Sequence, residues 1–165
     1  ECWQLAIAAT ETPSILALSR QAVPNVRTEV TKDNLSAKGA YVLRAVKKRD
    51  VTLLATGSEV GLAIEAADLL AKDGIQAAVV SMPSFELFAK QHEAYQMQVL
   101  GEAPRVGIEA GIAQCWYQWL RKKDRFVGLS DFGASAPAPK LFAHFGLTPA
   151  HVAEQAKSAI GTANS

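Results

Sequence analysis

From Gly39 onward the chain alternates short apolar runs with stretches of helical period, and this alternation constrains the fold more than any other feature. Residues 41–46 (Tyr-Val-Leu-Arg-Ala-Val) read as a strand, 47–50 as a tight turn, and 51–56 (Val-Thr-Leu-Leu-Ala-Thr) as a fully apolar strand. Val60, Ala63, Ile64, Ala67, Leu70 and Ala71 then share one helical face, with Glu65, Asp68 and Lys72 opposite and Gly74 as the stop. Strands follow at 77–81, 105–109 and 126–129, separated by helical stretches at 84–100 and 112–121. Two helices close the chain at about 137–145 and 149–160, the second with Thr148 as N-cap and Pro149 in its first position. Strict alternation requires parallel pairing with right-handed crossovers. The expectation is a three-layer α/β fold: a mostly parallel sheet, one antiparallel edge strand, and helices on both faces. The antiparallel edge is assigned to a hairpin between 41–46 and 51–56, because about four residues join them.

Upstream the text differs. Residues 1–9 read as the last turns of a helix begun elsewhere, without an initiator Met, and Ile15-Leu16-Ala17-Leu18-Ser19 as a buried strand after Pro13. One helix and one strand cannot make a domain, so 1–23 is expected to be the remnant of one, loosely held for want of its sheet neighbours. Residues 24–39 turn polar and read as a linker, 40–161 as a complete domain, and 162–165 as a tail.

Composition removes several classes of function. Seventeen Lys and Arg against sixteen Asp and Glu leave a net charge of +1, which gives nucleic acid no basic face to meet. No apolar run approaches the roughly 18–20 residues that span a bilayer, so no membrane partner is expected. Cys2 and Cys115 follow no disulfide or metal spacing and point to a reducing compartment.

In an open parallel sheet, ligands favour the crevice beyond the carboxyl ends of the strands. Three strand ends qualify: Thr56-Gly57-Ser58-Glu59, Ser81-Met82-Pro83-Ser84 and Glu109-Ala110-Gly111. The first resembles a phosphate-binding turn, but Thr56 and Glu59 have the spacing of a capping box, which puts negative charge where a phosphate would sit. Ser81–Ser84 reads as a turn directed by Pro83, and Glu109 as a lone carboxylate with no acid or base partner in the sequence. His92, His144 and His151 lack zinc spacing, so no metal site is assigned. Asp131-Phe132-Gly133 copies a kinase tripeptide without the other kinase motifs. Trp116, Tyr117 and Trp119 form a cluster that most often packs a core, with a subunit or domain interface as the second reading. The basic runs 47–50 and 121–125 read as solvated turns. Arg20 is harder to dismiss. It directly follows the apolar run 15–19, where its fork of donors suits a substrate phosphate or carboxylate, or else a structural ion pair.

These blocks also resemble a known family. Ala17-Leu18-Ser19-Arg20-Gln21, Ala55-Thr56-Gly57-Ser58-Glu59-Val60, Val80-Ser81-Met82-Pro83-Ser84, Arg105-Val106 with Glu109-Ala110-Gly111, and Phe132-Gly133-Ala134-Ser135-Ala136-Pro137 with Phe145-Gly146-Leu147-Thr148 resemble, in order and spacing, the C-terminal part of transketolases. The resemblance covers essentially the whole chain. It implies a cytoplasmic, homodimeric enzyme that moves a two-carbon ketol unit between sugar phosphates, with thiamine diphosphate and Mg²⁺ supplying the carbanion chemistry. It also implies that the cofactor motifs lie upstream, so that this chain alone holds neither cofactor nor activity. Residues 1–23 would then belong to the pyrimidine-binding domain and 40–161 to the third domain. The one position carried over is Arg20, matching the family arginine that contacts the substrate phosphate; no catalytic, cofactor or metal residue is carried over. The alternative is a separately encoded, non-catalytic docking or regulatory module of the same fold.

Overall fold

Every residue of Val51–Ala55 is buried, and a strand with no solvated side needs neighbours on both edges and helices on both faces. The computed structural model, which describes residues 1–28 and 32–163, supplies both. In chain order its elements are α1 (Cys2–Ala8), a 3-10 turn (Leu35–Lys38), β1 (Tyr41–Arg44), β2 (Val51–Ala55), α2 (Glu59–Lys72), β3 (Ala77–Ser81), α3 (Phe85–Ala89), α4 (Glu93–Leu100), β4 (Arg105–Ile108), a second 3-10 helix (Ala113–Gln118), β5 (Arg125–Val127), α5 (Ala138–His144) and α6 (Pro149–Ala163). Residues 29–31 of the expected linker and 164–165 of the expected tail lie outside the described residues.

The sheet has five strands in the order β1-β3-β2-β4-β5. All pairs are parallel except β1 with β3, so the mostly parallel sheet with one antiparallel edge is as expected. The hairpin is not. β1 pairs with β3, and β3 lies between β1 and β2. Burial explains the order: β1 is only half-buried along its length and suits an edge, whereas β2 and β3 are fully buried and occupy the middle. Asp50 fixes their register, because its amide donates to the Gln76 carbonyl (2.8 Å) and its carboxylate accepts from the Gln76 amide (2.8 Å).

Alternate side chains of β2 feed two cores. Val51, Leu53 and Ala55 pack with α2 and α6 through Ala63, Ala67, Leu70, Val152 and Ala156. Leu54 points the other way, to Val80, Met82, Phe88, Val99, Trp116 and Trp119. Trp116 and Trp119 are therefore core residues, while Tyr117 stands outside. The helix expected at 112–121 is a shorter 3-10 element, and the stretch 84–100 is broken in two. Ser84 caps the start of α3, and at the break the His92 ring nitrogen Nδ1 accepts from the Ala94 amide (3.2 Å) while Gln96 donates to the Phe88, Ala89 and Gln91 carbonyls. The last helix begins as expected, with Thr148 Oγ1 accepting from the His151 amide.

The two basic runs serve helix ends and turns. Arg49 donates to the Val99 and Gln98 carbonyls at the end of α4, and Arg121 to Asp124 and to the Glu102 and Ala103 carbonyls. Residues 15–19 form no strand. Ile15 is 94% exposed and Leu18 70%, and among the described residues no strand pairs with them. The segment is nevertheless tied down at one end. The Glu1 carboxylate accepts from Arg27 (Nη1, 3.1 Å) and from the Ser36 hydroxyl and amide (2.9 and 3.2 Å), while Asn34 reaches the Glu1 carbonyl and Gln4. Arg27, with Ser36, brings the Glu1 carboxyl down to about 2.

Candidate functional site

The carboxyl ends of β2 and β4 open side by side, and the turns leaving them meet. After β2, Gly57 adopts a left-handed conformation (φ 55°) that turns the chain into α2. The turn is closed by main-chain bonds, Glu59 N–H to the Thr56 carbonyl (3.2 Å) and Val60 N–H to the Gly57 carbonyl (3.4 Å). The expected capping box is absent. Ser58, not Thr56, occupies the N-cap position, and its hydroxyl donates to Glu59 Oε1 (2.7 Å) instead of capping the helix.

Glu59 is the residue that sequence reasoning misread. It is 4% exposed and sits between the two turns. Burial pushes its carboxyl above the usual range, the Ser58 hydroxyl and the Ala110 amide oppose that shift, and the negative charge of Glu109 reinforces it. Glu109 therefore has a carboxylate neighbour, contributed by an element fifty residues away. Its own Oε2 accepts from the Trp116 indole N–H (2.6 Å), and its main-chain amide donates to the Val127 carbonyl (3.1 Å), tying β4 to β5 beyond the last ladder position. The only sequence signal for Glu59 was its place one residue after a strand-to-helix turn, a place that solvated acidic residues also favour.

The third strand end is structural. Met82 is buried with its amide on the Ala55 carbonyl (2.9 Å), and the Ser84 hydroxyl caps α3. His92, His144 and His151 stand on separate elements, and among the described residues no group of three His, Cys, Asp or Glu could hold a metal ion. Asp131-Phe132-Gly133 is an exposed loop, and both cysteines are free and exposed. No described helix is long and apolar enough to cross a membrane.

Arg20 lies at a bend in the segment that passes the turn after β2. Ser19 Oγ stands over Gly57, and Pro24 rests on Gly61 in the first turns of α2. The Arg20 side chain is exposed, and among the described residues no ion pair engages it. Of the two readings of Arg20, the structural ion pair thus has no partner among them.

A mostly parallel sheet with helices on both faces, its carboxyl-end turns approached by the segment that carries Arg20, defines an α/β domain of the open-sheet class. The Transketolase-like TK C-terminal domain family matches residues 39–148. Among curated relatives, the transketolase of Cereibacter sphaeroides is 56% identical over 97% of this chain and 24% of its own length, and that of Sinorhizobium medicae is 52% identical over 94% and 23%. A solved transketolase from Pichia stipitis, in complex with sedoheptulose-7-phosphate, superposes with a TM-score of 0.86 at 37% identity, covering 97% of this chain and 23% of that one. The chain belongs to the transketolase family, matches its C-terminal domain, and spans about a quarter of the length of the curated relatives.

Proposed function

We propose that the chain works as the C-terminal part of a transketolase, which transfers a two-carbon ketol unit between sugar phosphates with thiamine diphosphate and Mg²⁺, and that its own contribution to the reaction is substrate binding through Arg20. The observation that carries this reading is the exposed guanidinium of Arg20, engaged by no ion pair among the described residues, on the segment that passes the turn after β2, in a chain whose relatives are transketolases over nearly its full length. A guanidinium without a protein partner keeps its planar fork of donors for a phosphate. Its role is to bind and orient the phosphorylated end of a sugar, away from the reacting carbons.

Residues 1–23 are assigned to the pyrimidine-binding domain and 40–161 to the third domain, with the linker between. Trp3, Ile7, Ile15 and Leu18, all more than 60% exposed, are the apolar surface that the preceding part of such an enzyme would cover. The crevice does not fit the cofactor. Glu59 and Glu109 place two carboxylates at its centre, which repel a diphosphate, so no step is assigned there to thiamine diphosphate or Mg²⁺. Ketol transfer, a cytoplasmic homodimer, and inactivity of this chain by itself follow from the same reading.

The test is Arg20→Ala in a full-length enzyme that carries this chain. Loss of a charge-assisted contact of roughly 1.5–3 kcal/mol lowers kcat/KM about tenfold to a hundredfold for phosphorylated donors and acceptors, chiefly through KM. Hydroxypyruvate with an unphosphorylated aldehyde should lose far less, and Arg20→Lys should recover part of the loss. Equal losses with both substrate pairs would mean that Arg20 holds the fold or the dimer.

A further inference from the structure

Gly61 in the first turn of α2, and Gly57 in the turn that leads into it, both face the segment 19–24. A Cβ on Gly61 would stand 3.0 Å from Pro24 Cγ and 3.5 Å from Pro24 Cδ, with no other non-local heavy atom within 4 Å. A Cβ on Gly57 would meet only Ser19 Oγ, at 4.0 Å. Gly61 is buried inside a fourteen-residue helix, where glycine is the least favourable residue after proline. The helix accepts that cost at the point where the strap touches it. The two contacts bracket Arg20, one residue before it and four after, and Pro24 is itself a rigid link with a fixed φ. Beyond Pro24 the strap stays fastened, since Val26 packs on the α2 and α6 core and Arg27 is clasped by Glu1.

We propose that Gly61 forms a notch in α2 that seats the Ser19–Pro24 strap at Pro24, so that the C-terminal domain sets the position of the phosphate-binding Arg20 and Gly61 is a positioning residue for the phosphorylated substrates. The inference rests on the role assigned to Arg20 above. It gives this domain a part in substrate binding without contact to the substrate: α2 holds the strap, and the strap holds the guanidinium. A Cβ at position 61 makes Pro24 give way by a few tenths of an ångström, and a bulkier side chain by more, which misaligns a fork-to-phosphate contact whose two N–H···O bonds require alignment.

The experiment uses the full-length enzyme and compares wild type, Gly61→Ala, Gly61→Val, Arg20→Ala and the double variant Gly61→Ala/Arg20→Ala. KM and kcat are measured with a phosphorylated donor and acceptor and, separately, with hydroxypyruvate and an unphosphorylated aldehyde. Gly61→Ala should raise KM for the phosphorylated pair about threefold to tenfold with kcat little changed, and Gly61→Val should raise it further. In the Arg20→Ala background the Gly61 substitution should add nothing, because the group it positions is gone. Helix propensity favours alanine, so the melting temperature of Gly61→Ala should not fall, which separates misplacement from unfolding. If the Gly61 variants shift both substrate pairs equally, or neither, while Arg20→Ala remains selective for phosphate, the notch is packing alone and the inference fails with the function intact. If Arg20→Ala shows no selectivity, the role of Arg20 fails and the inference falls with it.

Discussion

Trp116 offers the most direct check of how the crevice is built into the fold. Its side chain is fully buried, packs edge-on to Phe85 at 4.9 Å and tilted to Phe126 at 6.0 Å, and donates its indole N–H to Glu109 Oε2 at 2.6 Å. Gly107 on β4 makes room for it, since a Cβ there would lie 3.0 Å from the indole. Trp116→Phe keeps a six-membered ring but removes the donor and the rest of the indole. A hydrogen bond to a charged group contributes roughly 1.5–3 kcal/mol, and about two carbons of apolar packing contribute roughly 1.5 kcal/mol more. The sum is about 3–4.5 kcal/mol, a large share of the roughly 5–15 kcal/mol by which a domain is stable. Urea denaturation of this chain should show that loss, and thermal unfolding a fall of about 6–18 °C. A double-mutant cycle with Glu109→Ala should return a coupling of about 1.5–3 kcal/mol. Additivity to within about 0.5 kcal/mol would refute the reasoning, because it would mean that water satisfies Glu109 as well as the indole does.

Two further outcomes follow from the same geometry. Because the folded state raises the Glu59 carboxyl above its usual range, the stability linked to it is fully present below the unfolded pKa and is lost as pH rises through the folded one. Glu59→Gln should therefore be more stable than wild type near pH 8, with the gap closing toward about pH 4; a gap independent of pH in urea titrations would contradict the burial argument. Gly39 has φ 77°, and a Cβ there would lie 2.2 Å from the Phe88 nitrogen and 2.4 Å from the Ser84 carbonyl oxygen, so Gly39→Ala should cost more than about 4 kcal/mol. A change below about 1 kcal/mol in the same denaturation assay would show that the α3 junction moves freely.

Periodicity is a local quantity, and what it recorded here was which residues face a core. Val51–Ala55 is apolar at every position and is buried at every position. The face of α2 bearing Val60, Ala63, Ala67 and Leu70 is the face that packs, and Thr148 and Pro149 start α6 where their chemistry places them. Arg20 was legible as a candidate because a guanidinium directly after an apolar run is conspicuous in any context. That much, with the three layers and the mixed sheet, the amino-acid sequence determined by itself.

Partner choice is another matter, because it is settled among groups far apart in the chain. The short connection between β1 and β2, residues 45–50, favours a hairpin locally, but the two buried strands β2 and β3 gain more by pairing with each other and leaving half-buried β1 at the edge, so β3 enters between β1 and β2. Glu59 carries the local signature of a capping box, yet the neighbouring turn brings Ala110 and Glu109 to it and draws its carboxylate inward. The strap over Gly57 and Gly61 has no signature at all in the sequence: a glycine in a helix shows only that a side chain is missing, and the tertiary structure alone shows that Pro24 takes the vacated space.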